Sequence, residues 1–84
     1  MEGTMGEIRL FAGNFNPQGW ASCNGAVLPI NENQALFSIL GITYGGDGRT
    51  TFHLPKLDAP DSAGDGQQVL HYVICIEGVY PRRD

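Results

Sequence analysis

The sequence predicts an α+β fold, a small mainly-β domain with one short helix, and three observations lead there. Apolar residues recur with period two near both ends of the chain, around Ile8-Arg9-Leu10-Phe11 and again from Val69 to Gly78. Glycine and proline supply 12 and 5 of the 84 residues, which divides the chain into short elements joined by tight turns and excludes a bundle of long helices. Between the two ends, only residues 31–41 combine helical spacing with start and stop signals. The composition, 42% hydrophobic and 17% charged, is that of a folded domain, and the length admits a single core. One domain over residues 1–84 is therefore expected.

Taken in order, residues 1–5 form a polar, flexible lead. Glu7-Ile8-Arg9-Leu10-Phe11-Ala12 alternates, placing Ile8, Leu10 and Ala12 on one face of a half-buried strand and Glu7, Arg9 and Phe11 on the other. Phe11 interrupts the polar face, so that face is covered either by another part of the chain or by a second subunit. Pro17 and Gly19 mark a turn before a short strand, Trp20 to Cys23. Asn24-Gly25 is a hairpin signal, with Ala26-Val27-Leu28 as the returning strand. Asn31 can cap a helix start with Gln34 reaching back, and Ala35, Leu36, Ile39 and Leu40 share a stripe that Gly41 ends. Thr50-Thr51-Phe52 favours a strand, residues 58–68 form a polar loop, and residues 69–80 hold the closing strand. In that strand Leu70, Tyr72, Ile74 and Ile76 alternate with Val69, His71, Val73 and Cys75, so both faces are apolar at its centre and both must be covered.

The chemistry carried by the chain is sparse. Five basic residues against nine acidic ones give a net charge of −4, which disfavours a phosphate-binding surface, so nucleic acid is not an expected partner. No apolar run reaches the roughly 20 residues that span a bilayer, and the first residues lack a basic and apolar leader. Membrane insertion is not expected. Synthesis in the cytoplasm, with release by lysis or a dedicated machine, follows for a product that works outside the cell.

The glycines around Tyr44-Gly45-Gly46-Asp47-Gly48-Arg49 invite comparison with a phosphate loop, but the Lys and the following helix are missing, and a tight turn fits better. Asp58, Asp61 and Asp65 do not follow the spacing of a calcium loop. His53 and His71 have no serine or carboxylate at a catalytic spacing, and Cys23 has no adjacent base. No catalytic residue, metal or cofactor is expected. Cys23 and Cys75 are either two buried thiols or a single disulfide closing a long loop. Of the aromatic residues, Trp20 and Tyr72 read as core, whereas Tyr44, Asp47, Arg49 and Tyr80 are candidates for the rim of a glycan site.

Several segments in succession resemble the phage tail collar domain family, including the microcystin-dependent-protein relatives. They are Gly6-Glu7-Ile8-Arg9-Leu10-Phe11-Ala12-Gly13-Asn14-Phe15, Pro17-Gln18-Gly19-Trp20-Ala21, Cys23-Asn24-Gly25 and Leu28-Pro29-Ile30. Asn33-Gln34-Ala35-Leu36-Phe37-Ser38-Ile39-Leu40-Gly41 and Thr43-Tyr44-Gly45-Gly46-Asp47-Gly48-Arg49-Thr50-Thr51-Phe52 continue it, with Leu54-Pro55 and Leu57 closing a module over residues 6–57. The resemblance implies a structural and adhesive module of tail fibres that assembles as a trimer around a fibre axis, in a virion or an extracellular assembly. Longer relatives pass from this module into an Arg-Gly-Arg stretch and a long glycine-rich region before the closing strand. Here Lys56-Leu57-Asp58-Ala59 stands in that place and the long region is absent, which makes the chain a minimal version. The expected partner is the protein itself, in a trimer, ring or filament, with Phe11, Leu70, Tyr72, Ile74 and Ile76 as the assembly interface. A small carbohydrate-binding adhesin that takes a cell-surface glycan is the alternative.

Overall fold

A computed structural model describes residues 1–58 and 70–82. Among these residues, five strands and one α-helix are arranged as β1 (Ile8–Ala12), β2 (Trp20–Ser22), β3 (Val27–Pro29), α1 (Gln34–Leu40), β4 (Thr51–His53) and β5 (Leu70–Cys75). β5 is the centre of an antiparallel three-stranded sheet in the order β1-β5-β2, and β3 pairs with β4 in a second, two-stranded sheet. The expected loop beyond Asp58, the start of the closing strand at Val69, and the last two residues lie outside the described residues.

The centrality of β5 follows from its composition. β-branched residues and aromatics on both faces suit a strand buried on both sides, and the two flanking strands give it neighbours on both edges. Toward one face, Ile74 joins Cys23, Leu36, Phe52 and Leu54 in the main core, with Tyr72 and Ile76 packed against it. Toward the other face, Val73 and Cys75 meet Trp20, with Phe11 against them. Each large apolar side chain fully buried in this way contributes roughly 1.5–3 kcal/mol. One chain therefore covers both faces of its own central strand.

Three expectations are corrected at this level, and one open choice is decided. Asn24-Gly25 does not turn a hairpin, because β2 pairs with β5 and β3 with β4; Asn24 instead bridges Lys56, and its side-chain Oδ1 accepts the Ala26 N–H at 3.1 Å. The apolar partner offered by β5 outweighs the local turn signal.

The helix starts later than expected. Ile30–Glu32 forms a separate 3-10 turn, the non-helical Asn33 (φ −142°, ψ 41°) separates it from the helix, and α1 begins at Gln34. The Asn33 side chain turns back to the Pro29 carbonyl (2.9 Å) and makes no cap for α1. Along α1 the buried stripe is shifted, with Leu36, Phe37 and Leu40 on the core while Ala35 is exposed.

The first five residues are tied down rather than loose. Thr4 bridges Val79 in parallel, Met5 N–H donates to the Val79 carbonyl (2.8 Å), Val79 N–H donates to the Gly3 carbonyl (3.1 Å), and Trp20 Nε1–H donates to the Met1 carbonyl (2.8 Å).

Of the two readings of the cysteines, a pair of buried thiols is the one the structure bears out. Both cysteines are free and buried, and they belong to different clusters on opposite faces of the first sheet, Cys23 with Ile74 and Cys75 with Val73 and Trp20. Side chains that leave a sheet in opposite directions cannot meet the Cβ separation a disulfide demands.

Candidate functional site

The residues expected to carry assembly separate into two groups. Ile74 is fully buried in the core and Tyr72 and Ile76 pack against it, so these three hold the protomer together, and β5 has no free edge to offer. Phe11 lies against the Trp20 cluster, its ring set edge-on to Phe15 (5.3 Å between centroids) and to His71 (5.9 Å). Leu70 is half-buried opposite Ala12.

The exposed apolar residues lie instead on β1. Ile8 and Leu10 are 37% and 45% exposed, although in register they stand opposite Ile74 and Tyr72 and share their face. The second layer covers that face over β5 and β2 and stops short of β1. β1 is also an edge strand, with β5 as its one strand neighbour among the described residues. The Phe11 face is covered by another part of the same chain, the first of the two alternatives the sequence left open, and the face that carries Ile8 and Leu10 is the one left more exposed. Arg9 shows why, since its guanidinium lies 5.2 Å from the centroid of Trp20 and its Nε–H donates to Glu7 Oε2 at 2.6 Å, which lets a charged side chain lie over an aromatic core residue. The Arg9 hydrogen bond, joined by the Thr4 N–H, holds the Glu7 carboxyl below its usual range.

The proposed glycan rim is not brought together as expected. The Asp47 carboxylate is occupied by its own loop: Oδ1 accepts the N–H groups of Arg49, Thr50 and Thr51 at 2.8, 2.8 and 3.0 Å, and Oδ2 accepts the Thr50 hydroxyl at 2.8 Å. Tyr44 is exposed on the same loop, whereas Tyr80 shares a hydrogen bond with Ser38 on α1 (2.5 Å) and lines a different cleft with Ile39 and Pro81. Asp47 is a turn former, and glycine-rich sequence followed by Thr-Thr is the signal that marks it.

The backbone N–H groups of Thr51, Arg49 and Thr50, with the Thr50 hydroxyl, hold the Asp47 carboxyl far below its unperturbed value of 3.8. A carboxyl whose folded pKa is depressed adds stability that is complete above the unfolded value and is lost as pH falls toward the folded one. The loop's contribution is therefore expected to stay constant from neutral pH to about pH 5 and to decline only in stronger acid. Asp47→Ala should lower the melting temperature by several degrees at neutral pH, and that difference should shrink in melts taken at successively lower pH. A difference that stays constant into strong acid would refute the assignment.

A second concavity opens at the other end of the first sheet. It has a volume of about 460 Å³ and is walled by residues 13–16, 22–24, 56–58 and 70–72. Within it, Asn16 Oδ1 accepts both the Ser22 hydroxyl (2.9 Å) and His71 Nε2–H (3.0 Å). This cleft has no signature in the sequence, because its walls come from four separated segments and none carries a motif. No group of three or more His, Cys, Asp or Glu residues that could hold a metal ion occurs among the described residues. The two thiols lack the setting of a nucleophile: burial pushes Cys23 up to about 11 and raises Cys75 as well.

Residues 6–59 match the family model described as the phage tail collar domain, well over half of the chain. The chain belongs to the phage tail collar domain family. No curated protein and no solved structure matches it. The family is a structural one of phage tail fibres. The collar match contains β1 through β4 and ends before β5, yet β1 and β2 have no ladder with each other and are joined only through β5. The collar segment thus supplies the two flanking strands and the second sheet, and residues 70–75 are needed to close the first.

Proposed function

We propose that the protein is a minimal collar-type building block of a phage tail fibre or a related extracellular assembly, and that it associates with further copies of itself. The observation that carries this reading is β1, an edge strand that leaves Ile8 and Leu10 exposed beside the main core. An open strand edge next to uncovered apolar side chains is a template for the same surface of another copy, because pairing satisfies the free backbone groups while the side chains leave water. Membership of a structural tail-fibre family supports a copy of this chain as the occupant. The role is architectural, and the place of work is the virion or a phage-derived particle.

Size-exclusion chromatography with light scattering and negative-stain microscopy test the reading. The wild type is expected to run as a homo-oligomer, and Ile8→Asp combined with Leu10→Asp is expected to give a folded monomer, since neither side chain is buried in the protomer. A wild-type monomer at every concentration would overturn it.

A further inference from the structure

The cleft at the end of the first sheet has features that the architectural role leaves unexplained. Its position is fixed by β5 and β2, which supply His71 and Ser22, and by the β1–β2 connection, which supplies Asn14, Phe15 and Asn16. Asn16 is the pivot. Its carbonyl oxygen accepts two hydrogen bonds, so the amide is held in one orientation, and its NH₂ group is left for a ligand. His71, donating from Nε2, is itself set edge-on to Phe11, which in turn is edge-on to Phe15. Phe15 completes the wall with a ring that is 62% exposed, an aromatic face that the fold presents to solvent. Asn24, Lys56 and Asp58 also line the cleft, and among the described residues the side chains of Asn14, Lys56 and Asp58 make no hydrogen bond or ion pair.

We propose that this cleft binds a neutral pyranose sugar, with the apolar face of the ring on Phe15 and its hydroxyl groups on the Asn14, Asn16 and Asn24 amides. The chemistry selects this class on three counts. An exposed aromatic ring beside three amides, two of them held by hydrogen bonds, matches a ligand that has one apolar face and a rim of donor-acceptor hydroxyls. Lys56 and Asp58 both line the cleft and carry opposite charges, so it favours neither an anion nor a cation. The volume falls within the ordinary range for small-molecule sites. The sugar site is therefore separate from the Tyr44 loop, and it does not depend on whether β1 joins copies together.

Saturation-transfer NMR on the full chain, with the methyl glycosides of glucose, galactose, mannose and N-acetylglucosamine at about 10 mM, tests the proposal. At least one glycoside is expected to receive saturation at its ring protons. Phe15→Ala removes an exposed ring and should weaken binding about tenfold or more without unfolding the chain. Asn16→Asp keeps an oxygen for Ser22 and His71 but loses the NH₂ donor, and it too should weaken binding while amide spectra show the fold intact. Tyr44→Ala should leave binding unchanged. Failure of all four glycosides to bind, or binding that survives both cleft variants, would overturn the proposal. Binding that Tyr44→Ala abolishes would do the same and place the sugar on the other loop.

Discussion

Phe52→Ala is expected to cost about 3–5 kcal/mol and to leave the chain at the edge of folding. The Phe52 ring is completely buried, sits on the two-stranded sheet, and packs 5.4 Å from the Phe37 ring while sharing one cluster with Leu36, Leu54 and Ile74. It therefore touches all three layers that the core unites: α1, the second sheet and the central strand of the first. The second sheet has only two strands and α1 only seven residues, so neither persists in water by itself. A domain of this length has a total stability of about 4–13 kcal/mol, so the loss is a large part of the whole. Urea unfolding followed by circular dichroism at several protein concentrations checks it, since association would raise apparent stability with concentration. A loss below about 1 kcal/mol would mean that the two sheets do not share this core.

Which parts of this were legible in the sequence depended on whether local pattern and tertiary pairing agreed. They agreed for the closing strand: apolar residues on both faces from Leu70 to Cys75 demanded cover on both sides, and β5 is the central strand with both faces packed. They agreed for the strand expected at Thr50-Thr51-Phe52, which forms one residue later over Thr51–His53, and for the end of α1, where Gly41 N–H donates to the Phe37 carbonyl. They disagreed at Asn24-Gly25, a turn that is locally sound but separates strands belonging to two sheets. β1 was legible in part. Period-two alternation fixes which residues share a face, but which face is covered depends on where Trp20 and the second layer come to lie, and neither position is written in Ile8-Arg9-Leu10-Phe11.

The candidate surfaces were less legible than the fold for the same reason. Ile74 and Tyr72 look like interface residues in isolation because the partner elements that bury them, Leu36, Phe52 and Leu54, lie far away in sequence. Asp47 and Arg49 look like ligand groups until the carboxylate is seen to accept three successive N–H groups. The Asn16, Ser22 and His71 arrangement has no sequence signature, since its members stand 6 and 55 residues apart and meet only once β5 has paired between β1 and β2.

Gly46→Ala tests the same loop from the backbone side and is expected to cost about 2–6 kcal/mol, combining backbone strain with overpacking. Gly46 has φ of +109°, and a β-carbon there would stand 2.5 Å from Phe52 Cα and 2.6 Å from the Thr51 carbonyl oxygen. These are main-chain atoms of β4, so no side chain can move aside; either the strand carrying Phe52 is displaced or the Asp47 turn is rebuilt. Gly41→Ala is the matched control, because Gly41 also has positive φ (+57°) but its β-carbon would meet nothing within 4 Å. The control carries the strain of about 1–3 kcal/mol alone. Gly46→Ala should therefore be the more damaging of the pair, and it should perturb amide signals at residues 51–53 that Gly41→Ala leaves in place. Equal losses in the two variants would mean that the close approach to β4 is unimportant and that positive φ is all these glycines provide.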